Sequence, residues 1–161
     1  MNIPYPYLPE GKTILCVSAG NAFMQEAERM AKNKSTDFYH PTGAVVVKNG
    51  VVIGRAANQS RLKNKKLISF HKNYFCVRRM LKIKSGEKYW LCPGCSPCTY
   101  HAESGAVRDA LKNAHGVQEN VQDADVYLWG HWWCCKPCWD AMIARGIKDV
   151  YLLEGSERLF K

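Results

Sequence analysis

The chain has 161 residues, 47% of them hydrophobic, which excludes an intrinsically disordered chain and predicts one domain with a sizeable core. Its formal net charge of +9 favours phosphorylated or polyanionic partners without saying which. No apolar run approaches the roughly 20 residues that a membrane span needs, and residues 1–11 lack the basic start of a signal peptide. We therefore expect a cytoplasmic protein whose eight cysteines are metal ligands or free thiols.

The beginning of the chain predicts an irregular arm followed by one helix. We expect residues 1–20 to form an N-terminal arm, in which the β-prone run 13–17 is either a strand or a segment packed on the core. From residue 21 the apolar positions repeat with the spacing of one helix face, and Asn21 is a suitable N-cap. The helix should end between residues 32 and 35. Its apolar face consists of Phe23, Ala27, Met30 and Ala31.

Two β-branched runs then predict a hairpin. Residues 43–47 and 51–54 flank Asn49-Gly50, the strongest short-range signal for a tight β-turn. Because both runs are apolar throughout, we expect both faces of the sheet to be covered.

Residues 59–66 follow the hairpin and are basic. They form either a solvated surface loop or a clamp for a phosphate group. The clamp would use Arg61 together with Lys63, Lys65 or Lys66.

A helix and a cysteine-rich turn are predicted over residues 69–98. Residues 69–83 carry apolar side chains at helical spacing, and Ser69 can cap the helix. The spaced positions are Phe70, Tyr74, Val77 and Leu81. Cys92, Cys95 and Cys98 then occur among two prolines and a glycine, as in a zinc knuckle. The fourth ligand would be Cys76 or, as second candidate, His71; the alternative is a tight turn with unused thiols.

The second half of the chain alternates helices and strands. We predict helices over residues 102–113 and 136–145 and strands over 126–129 and 148–153, with a polar loop over 117–125. Ala102, Ala106 and Ala110 form a small-residue stripe that suits close packing on a sheet. This alternation after a hairpin predicts a three-layer α/β/α sandwich. Its mixed central sheet would begin with the antiparallel hairpin and continue with parallel strands.

Two short motifs begin these two helices and offer zinc ligands. His101-Ala102-Glu103 supplies an imidazole and a carboxylate, and Cys135-Lys136-Pro137-Cys138 supplies two thiolates. Zinc takes nitrogen and sulfur ligands in a tetrahedron, and a catalytic site keeps one corner for water. We therefore predict that His101, Cys135 and Cys138 hold a catalytic zinc and that Glu103 transfers protons. The alternatives are a redox pair or structural zinc site for the cysteines, and a core position for His101.

Cys134 leaves some choice of ligand pair. The spacing of Cys135 and Cys138 lets both sulfurs reach one ion, whereas Cys134 and Cys138 are one residue too far apart. Cys134 would then be a spare thiol beside the site.

These motifs and their context resemble the cytidine/deoxycytidylate deaminase superfamily over residues 24–155. A His-x-Glu motif followed by Pro-Cys-x-x-Cys is the signature of zinc nucleobase deaminases, and this chain matches it except at the proline. Residues 42–58 resemble the opening hairpin of the family. The segment from Cys76 to His101 resembles the insertion of microbial and phage dCMP deaminases, with a Cys–Arg–Leu helix, a Ser-Gly turn and a cysteine before His-Ala-Glu.

The resemblance implies a cytidine-deaminase-like fold in a single deaminase domain, residues 1–161, with residues 69–98 as an inserted helix and cysteine-rich zinc-binding segment. It implies hydrolysis of dCMP to dUMP and ammonia, by attack of zinc-bound hydroxide on C4 of cytosine with Glu103 as proton shuttle. It also implies Zn²⁺ as cofactor, one catalytic and one structural ion, an oligomer of identical chains, and control by dCTP or dTTP.

Further residues are assigned to the substrate. The resemblance implies that Asn58 hydrogen-bonds the sugar and that Ala102 lies against the substrate, and Arg61 belongs to the predicted phosphate clamp. Trp133 or Trp132 stacks on the base or packs in the core.

Three departures from the family pattern stand out. Cys134 occupies the position of a proline, and Ser104-Gly105 follows Glu103, where dCMP deaminases tend to have Asn at the second position. The chain also ends soon after its fourth predicted strand. We therefore expect the fifth strand and final helix of the family to be missing, unless residues 13–17 supply the strand at an edge.

Two other functions stay open. One is a deaminase of nucleic acid, acting on cytosine in single-stranded DNA or adenosine in tRNA, which the charge and five tryptophans favour. Basic residues occur along the whole chain and the insertion resembles nucleotide enzymes, so this function is the second choice. The other is a zinc scaffold or nucleotide sensor without catalysis, against which the intact Glu103 argues.

Overall fold

A five-stranded sheet forms the centre of the computed structural model, which describes residues 5–84, 86–114, 116 and 120–161. Its strands are β1 (Ile14–Val17), β2 (Gly43–Lys48), β3 (Val51–Ala57), β4 (Asp125–Trp129) and β5 (Val150–Leu153). Their order across the sheet is β1-β5-β4-β2-β3. β1, β5 and β4 are parallel, whereas β2 is antiparallel to both of its neighbours. The predicted mixed sheet is therefore confirmed.

Helices cover both faces of this sheet. In the described ranges they are α1 (Ala22–Lys34), α2 (Lys65–Asn73), α3 (Val77–Met80), α4 (Ala102–Asn113), α5 (Lys136–Ile143) and α6 (Ser156–Phe160), with 3₁₀ turns at Tyr89–Leu91 and Cys98–Tyr100. α1 packs on one face, while α4 and α5 pack on the other. The three-layer α/β/α sandwich is thus confirmed. Within the described ranges, no helix combines the length and apolarity needed to cross a bilayer.

Alternate residues of the central strands enter two separate cores. In β4, Val126 and Leu128 face α4 and α5, whereas Tyr127 faces α1. Successive side chains of a strand point to opposite faces, so a strand covered on both sides is apolar at every position. This explains the continuous apolar runs in the sequence.

The predicted alanine stripe brings α4 very close to β3. Ala102, Ala106 and Ala110 are completely buried. A Cβ added at Gly54 of β3 would lie 2.6 Å from the amide nitrogen of Ala110 and would overlap the carbonyl oxygen of Ala106. The helix that carries His101 and Glu103 is therefore held rigidly against the sheet.

One short element lies near each end of the chain. Residues 14–17 of the predicted arm form the edge strand β1, which pairs in parallel with β5. This confirms the alternative that residues 13–17 supply a fifth strand at an edge of the sheet. A short helix, α6, also follows β5, and its Phe160 packs against Trp129.

The predicted helix over residues 69–83 was wrong in its bounds and its buried face. α2 begins at Lys65 and is capped by Asn64 instead of Ser69, and the chain leaves the helix at Tyr74 before α3. Three of the predicted face residues are exposed, namely Phe70 at 55%, Tyr74 at 79% and Leu81 at 59%. The buried positions of α2 are Ile68 and His71 instead.

Candidate active site

Two helix N-termini bring together one imidazole and two thiols. His101 directly precedes α4, Cys135 directly precedes α5, and Cys138 lies in the first turn of α5. The Nδ1 atom of His101 lies 3.6 Å from the Sγ atom of Cys135 and 3.4 Å from that of Cys138. Zn–N and Zn–S bonds of about 2.0 and 2.3 Å in a tetrahedron place the two ligand atoms about 3.5 Å apart. The donor set and its spacing therefore fit zinc, with three protein ligands grouped in the described part of the chain.

The ring of His101 is held in the orientation that a metal ligand needs. Its Nε2 donates a hydrogen bond to the carbonyl oxygen of Ser96 at 3.3 Å, so the neutral ring presents the lone pair of Nδ1 to the cysteines. The ring of Tyr89 packs edge-on against it, with centroids 5.4 Å apart. Outer contacts of this kind fix the tautomer and orientation of metal-binding histidines.

A hydrogen bond between the two cysteines shifts the pKa values of their thiols in opposite directions. Their mutual hydrogen bond, with help from His101, lowers the pKa of Cys135 to about 6, and the same bond together with burial raises the pKa of Cys138 well above its usual value. The opposite directions follow from one thiolate accepting from one thiol. The N-terminus of α5 adds a partial positive charge that favours thiolate there.

A cavity of about 330 Å³ opens onto this group. Glu103 borders it from the first turn of α4 and is only 5% exposed. The other carboxylate in its wall, Asp37, is paired with Lys72 at 3.1 Å. Glu103 is thus the carboxylate next to the three ligands, with room for a small molecule in front of it.

Comparison with known proteins identifies this arrangement. Residues 18–154 match the family described as the cytidine and deoxycytidylate deaminase zinc-binding region. The chain belongs to this family. It is a zinc-binding deaminase with the cytidine-deaminase-like fold.

Several solved structures are similar to this chain. A guanine deaminase from Bacillus subtilis is 20% identical over 86% of this chain and 69% of its own, with a TM-score of 0.46. A tRNA:A34 deaminase is 22% identical over 81% and 75%, with a TM-score of 0.48. The dCMP deaminase of the cyanophage S-TIM5 is 18% identical over 86% and 90%, with a TM-score of 0.46. No curated protein sequence matches the chain. Similarity at this level says nothing about the substrate of this deaminase.

Cys134 lies outside the metal group of the deaminase. It is completely buried in the core between the sheet and helices α4 and α5. Burial and the neighbouring charge of Glu103 raise its pKa well above the usual value. The structure thus groups Cys135 and Cys138 with His101 and leaves Cys134 as a buried thiol that hydrogen-bonds Glu103.

Close packing against β3 explains why residue 105 is a glycine. A Cβ at this position would lie 2.7 Å from the Cβ of Ala56 in β3, so the Asn that dCMP deaminases tend to have here does not fit this backbone. The preceding Ser104 is buried, and its Oγ lies 3.6 Å from the Sγ of Cys138. Ser104 therefore contacts the thiol of Cys138, and Gly105 lets α4 pack closely on β3.

Asn58 borders the cavity, but its side chain already has protein partners. Its Oδ1 accepts from the amide of Thr42 at 2.9 Å and from the hydroxyl of Ser35 at 2.6 Å. Its Nδ2 donates to the carbonyl oxygen of His40 at 2.8 Å. Asn58 therefore ties its part of the cavity wall to residues 40–42 of the wall and to Ser35 outside it, and only one amide hydrogen is left for a ligand.

The predicted phosphate clamp is not at the cavity. Arg61 is exposed and absent from the described cavity wall, as are Lys63, Lys65 and Lys66. The wall instead contains Lys72 and Arg78. None of the four predicted clamp residues therefore lies in the described cavity wall, and the clamp itself stays a prediction. No sequence pattern pointed to Lys72, because its position depends on where α2 begins.

Of the two tryptophans considered for stacking on the base, Trp133 borders the cavity, as does Ala102. Trp132 is not among the described residues of the cavity wall and packs against Tyr5. His131 also borders the cavity, and burial lowers its pKa. Its Nδ1 accepts from the amide of Trp133 at 3.3 Å, so its Nε2 carries the proton.

A second group of ligand atoms lies in the insertion. His71, Cys76, Cys92 and Cys95 have ligand atoms within 4.8 Å of one another. The sulfurs of Cys76 and Cys95 are 3.7 Å apart, and Nε2 of His71 lies 3.3 Å from Cys92 and 3.6 Å from Cys95. Tetrahedral zinc would place two sulfurs about 3.8 Å apart and a sulfur and a nitrogen about 3.5 Å apart.

This group differs from the predicted set in one member. The structure does not bring Cys98 into it and places His71, the second candidate for the fourth ligand, there instead. Cys98 starts the 3₁₀ turn before His101 and packs near Cys135. Gly94 is close to the ring of His71, since a Cβ at Gly94 would lie 2.7 Å from its Nε2. The tight turn around Gly94 therefore leaves the space that the imidazole of His71 occupies.

Proposed function

We propose that this deaminase hydrolyses dCMP to dUMP and ammonia with zinc bound by His101, Cys135 and Cys138. The observation that carries the proposal is the ligand group at the floor of a cavity of about 330 Å³ with Glu103 beside it. That volume lies within the range of sites for small molecules. The choice of dCMP among cytosine compounds rests on the resemblance of residues 76–103 to the insertion of dCMP deaminases.

Deamination replaces the amino group on C4 of cytosine with oxygen. A bound zinc would act as a Lewis acid that makes water nucleophilic near neutral pH. Glu103 takes a proton from the attacking water, delivers it to ring nitrogen N3, and then passes a proton to the leaving amine. One C–O bond forms, one C–N bond breaks, and ammonia leaves.

The other wall residues bind and orient the nucleotide. Trp133 supplies an aromatic surface for the base, and the protonated Nε2 of His131 supplies a donor. Lys72 is the candidate for the phosphate, which would share its ammonium group with Asp37 at 3.1 Å. The guanidinium of Arg78 is buried and donates to the carbonyl oxygens of Lys84 and Glu87 at 2.7 Å. Asn58 contributes its remaining amide hydrogen to the sugar. Assembly into an oligomer, control by dCTP or dTTP, and a cytoplasmic location stay predictions.

Ammonia release from zinc-loaded protein tests this function. The substrates are dCMP, CMP, deoxycytidine, dCTP and a cytosine-containing single-stranded oligonucleotide. We expect turnover of dCMP, its loss in Glu103→Gln with zinc retained, and normal turnover in Glu87→Gln, which changes an exposed carboxylate. Turnover of the oligonucleotide alone would refute the nucleotide substrate. Zinc binding without turnover of any compound would support the non-catalytic scaffold.

We also propose that the second group holds a structural zinc with His71, Cys76, Cys92 and Cys95 as ligands. The expected metal content is two zinc ions per chain. Cys76→Ala and His71→Ala should each lower it to one. Cys98→Ala should leave it at two, as should Cys16→Ala, which removes an exposed thiol. A loss of metal in Cys98→Ala with none in His71→Ala would restore the set predicted from the sequence.

A further inference from the structure

The net charge of the chain lies in one segment. Residues 61–91 contain ten of the 23 Lys and Arg residues but only one of the 14 Asp and Glu residues. Thirteen of each sign remain elsewhere and cancel, so this segment accounts for the whole net charge of +9. Basic residues do occur along the whole chain, but here their acidic counterparts are almost absent.

Most of this charge is on the surface and unpaired. Eight of the ten side chains are exposed. They are Arg61, Lys63, Lys65, Lys66, Arg79, Lys82, Lys84 and Lys88. In the described ranges none of the eight has a carboxylate within 4.0 Å. The other two, Lys72 and Arg78, are at the cavity wall.

The same segment also carries exposed aromatic rings. Trp90 is 75% exposed, Tyr74 79%, Phe70 55% and Phe75 49%. The rings of Phe70 and Tyr74 lie side by side, with centroids 5.8 Å apart. Exposed apolar rings cost free energy in water unless a partner covers them, and a grouping of this kind marks an interaction site.

We propose that the surface formed by the exposed residues of 61–91, here called the insertion surface, binds single-stranded nucleic acid. Lys and Arg attract the phosphates, while exposed rings stack on unpaired bases, which a duplex does not offer. A second copy is a poor occupant, since a two-fold interface would bring two surfaces of the same high charge together. The rings come from α2, the turn after it and a 3₁₀ turn, rather than from one apolar helix face as in membrane-bound helices.

The insertion surface is continuous with the catalytic cavity. His71 and Lys72 of α2 border the cavity, while Phe70 and Tyr74 of the same segment lie outside. A strand on the surface therefore passes close to the cavity mouth. Binding is a property beyond the proposed deamination of dCMP and does not depend on which cytosine compound is turned over.

Fluorescence anisotropy with a labelled single-stranded DNA of about 20 nucleotides tests the proposal on zinc-loaded protein. We expect binding that weakens with salt at a log–log slope of about −0.7 per phosphate contacted. K65E/K84E should weaken binding at least about tenfold, whereas K34E/K112E, with the same change in charge on exposed residues elsewhere, should have little effect. Trp90→Ala should weaken binding about tenfold through lost stacking.

Three results would overturn the proposal. Equal losses in K65E/K84E and K34E/K112E would mean that total charge alone attracts the strand. Equal binding of a duplex, with no effect of Trp90→Ala, would mean that bases are not read by the rings. Tight binding to phosphatidylserine-containing vesicles that K65E/K84E abolishes, without oligonucleotide binding, would assign the surface to membranes. Zinc content and thermal unfolding of each variant show that it is folded.

Discussion

Asn58→Ala distinguishes a residue that holds the cavity wall together from one that only contacts substrate. The change removes the Oδ1 atom, which accepts hydrogen bonds from Thr42 and Ser35. It also removes the Nδ2 group, which donates a hydrogen bond to His40. A hydrogen bond contributes about 0.5–1.5 kcal/mol net, and an orphaned buried group costs about 1–3 kcal/mol. Thr42 is only 5% exposed, so its amide would be left without its partner in a largely buried position. We expect a loss of about 3 kcal/mol.

The assay is thermal unfolding of the zinc-loaded protein without nucleotide. A loss of about 3 kcal/mol lowers the Tm of a chain of this size by about 6–12 °C. Asn113→Ala is the matched control, because that amide donates a single hydrogen bond, to the carbonyl oxygen of Ile53 at 2.8 Å, on the exposed side of α4. It should cost about 1 kcal/mol or less. An unchanged Tm in Asn58→Ala with a raised KM for dCMP would refute the bracing role and leave only substrate contact.

Three further changes test the packing and the metal groups. Gly54→Ala should destabilise the fold by about 1–3 kcal/mol in urea unfolding because its Cβ overlaps α4; Gly20→Ala, with its nearest contact at 3.7 Å, should not. Cys134→Ala should keep full zinc content, whereas Cys135→Ala should lose the catalytic ion; loss in both would place Cys134 among the ligands. Cys95→Ala should also weaken the catalytic zinc about 10- to 100-fold in competition with a chelator, because Ser96 next to it orients His101. Unchanged affinity would show that the two groups act separately.

The sheet could be predicted because the turn preference and the hydrophobic pattern of its residues indicate the same structure. Asn49 and Gly50 both have positive φ, as the two-residue turn of a hairpin requires, and the flanking runs are apolar on both faces. The grouping of Cys135 and Cys138 with His101 was predictable for a similar reason. Cys135 and Cys138 occupy the start of one helix, where three residues of spacing suffice to turn both sulfurs to one ion.

The insertion could not be predicted from apolar periodicity, because its outer face is aromatic. Phe70 and Tyr74 follow helical spacing but lie on the surface, while His71, a polar residue, is buried at 9% exposure. Burial of His71 depends on contacts with Cys92 and Cys95, more than 20 residues away along the chain. A hydrophobic pattern does not predict the buried face of α2, because a buried position on that face is the polar residue His71. The same long-range contacts decide that His71 replaces Cys98.

The position of Cys95 explains why the insertion belongs to the active site. Only five residues separate Cys95 from His101, and the 3₁₀ turn Cys98–Tyr100 shortens that link further, so the two metal groups must share a wall. Ser96 faces His101 from this wall, and Tyr89 packs on the same ring while Arg78 lies over Tyr89 at 4.2 Å. Arg78 also reaches the Sγ of Cys95 at 3.6 Å. A continuous series of contacts therefore connects Cys95 of the second ligand group with His101 of the first. Because that series of contacts passes through the inner side of the insertion, its outer side is left free to carry the basic and aromatic residues of the insertion surface.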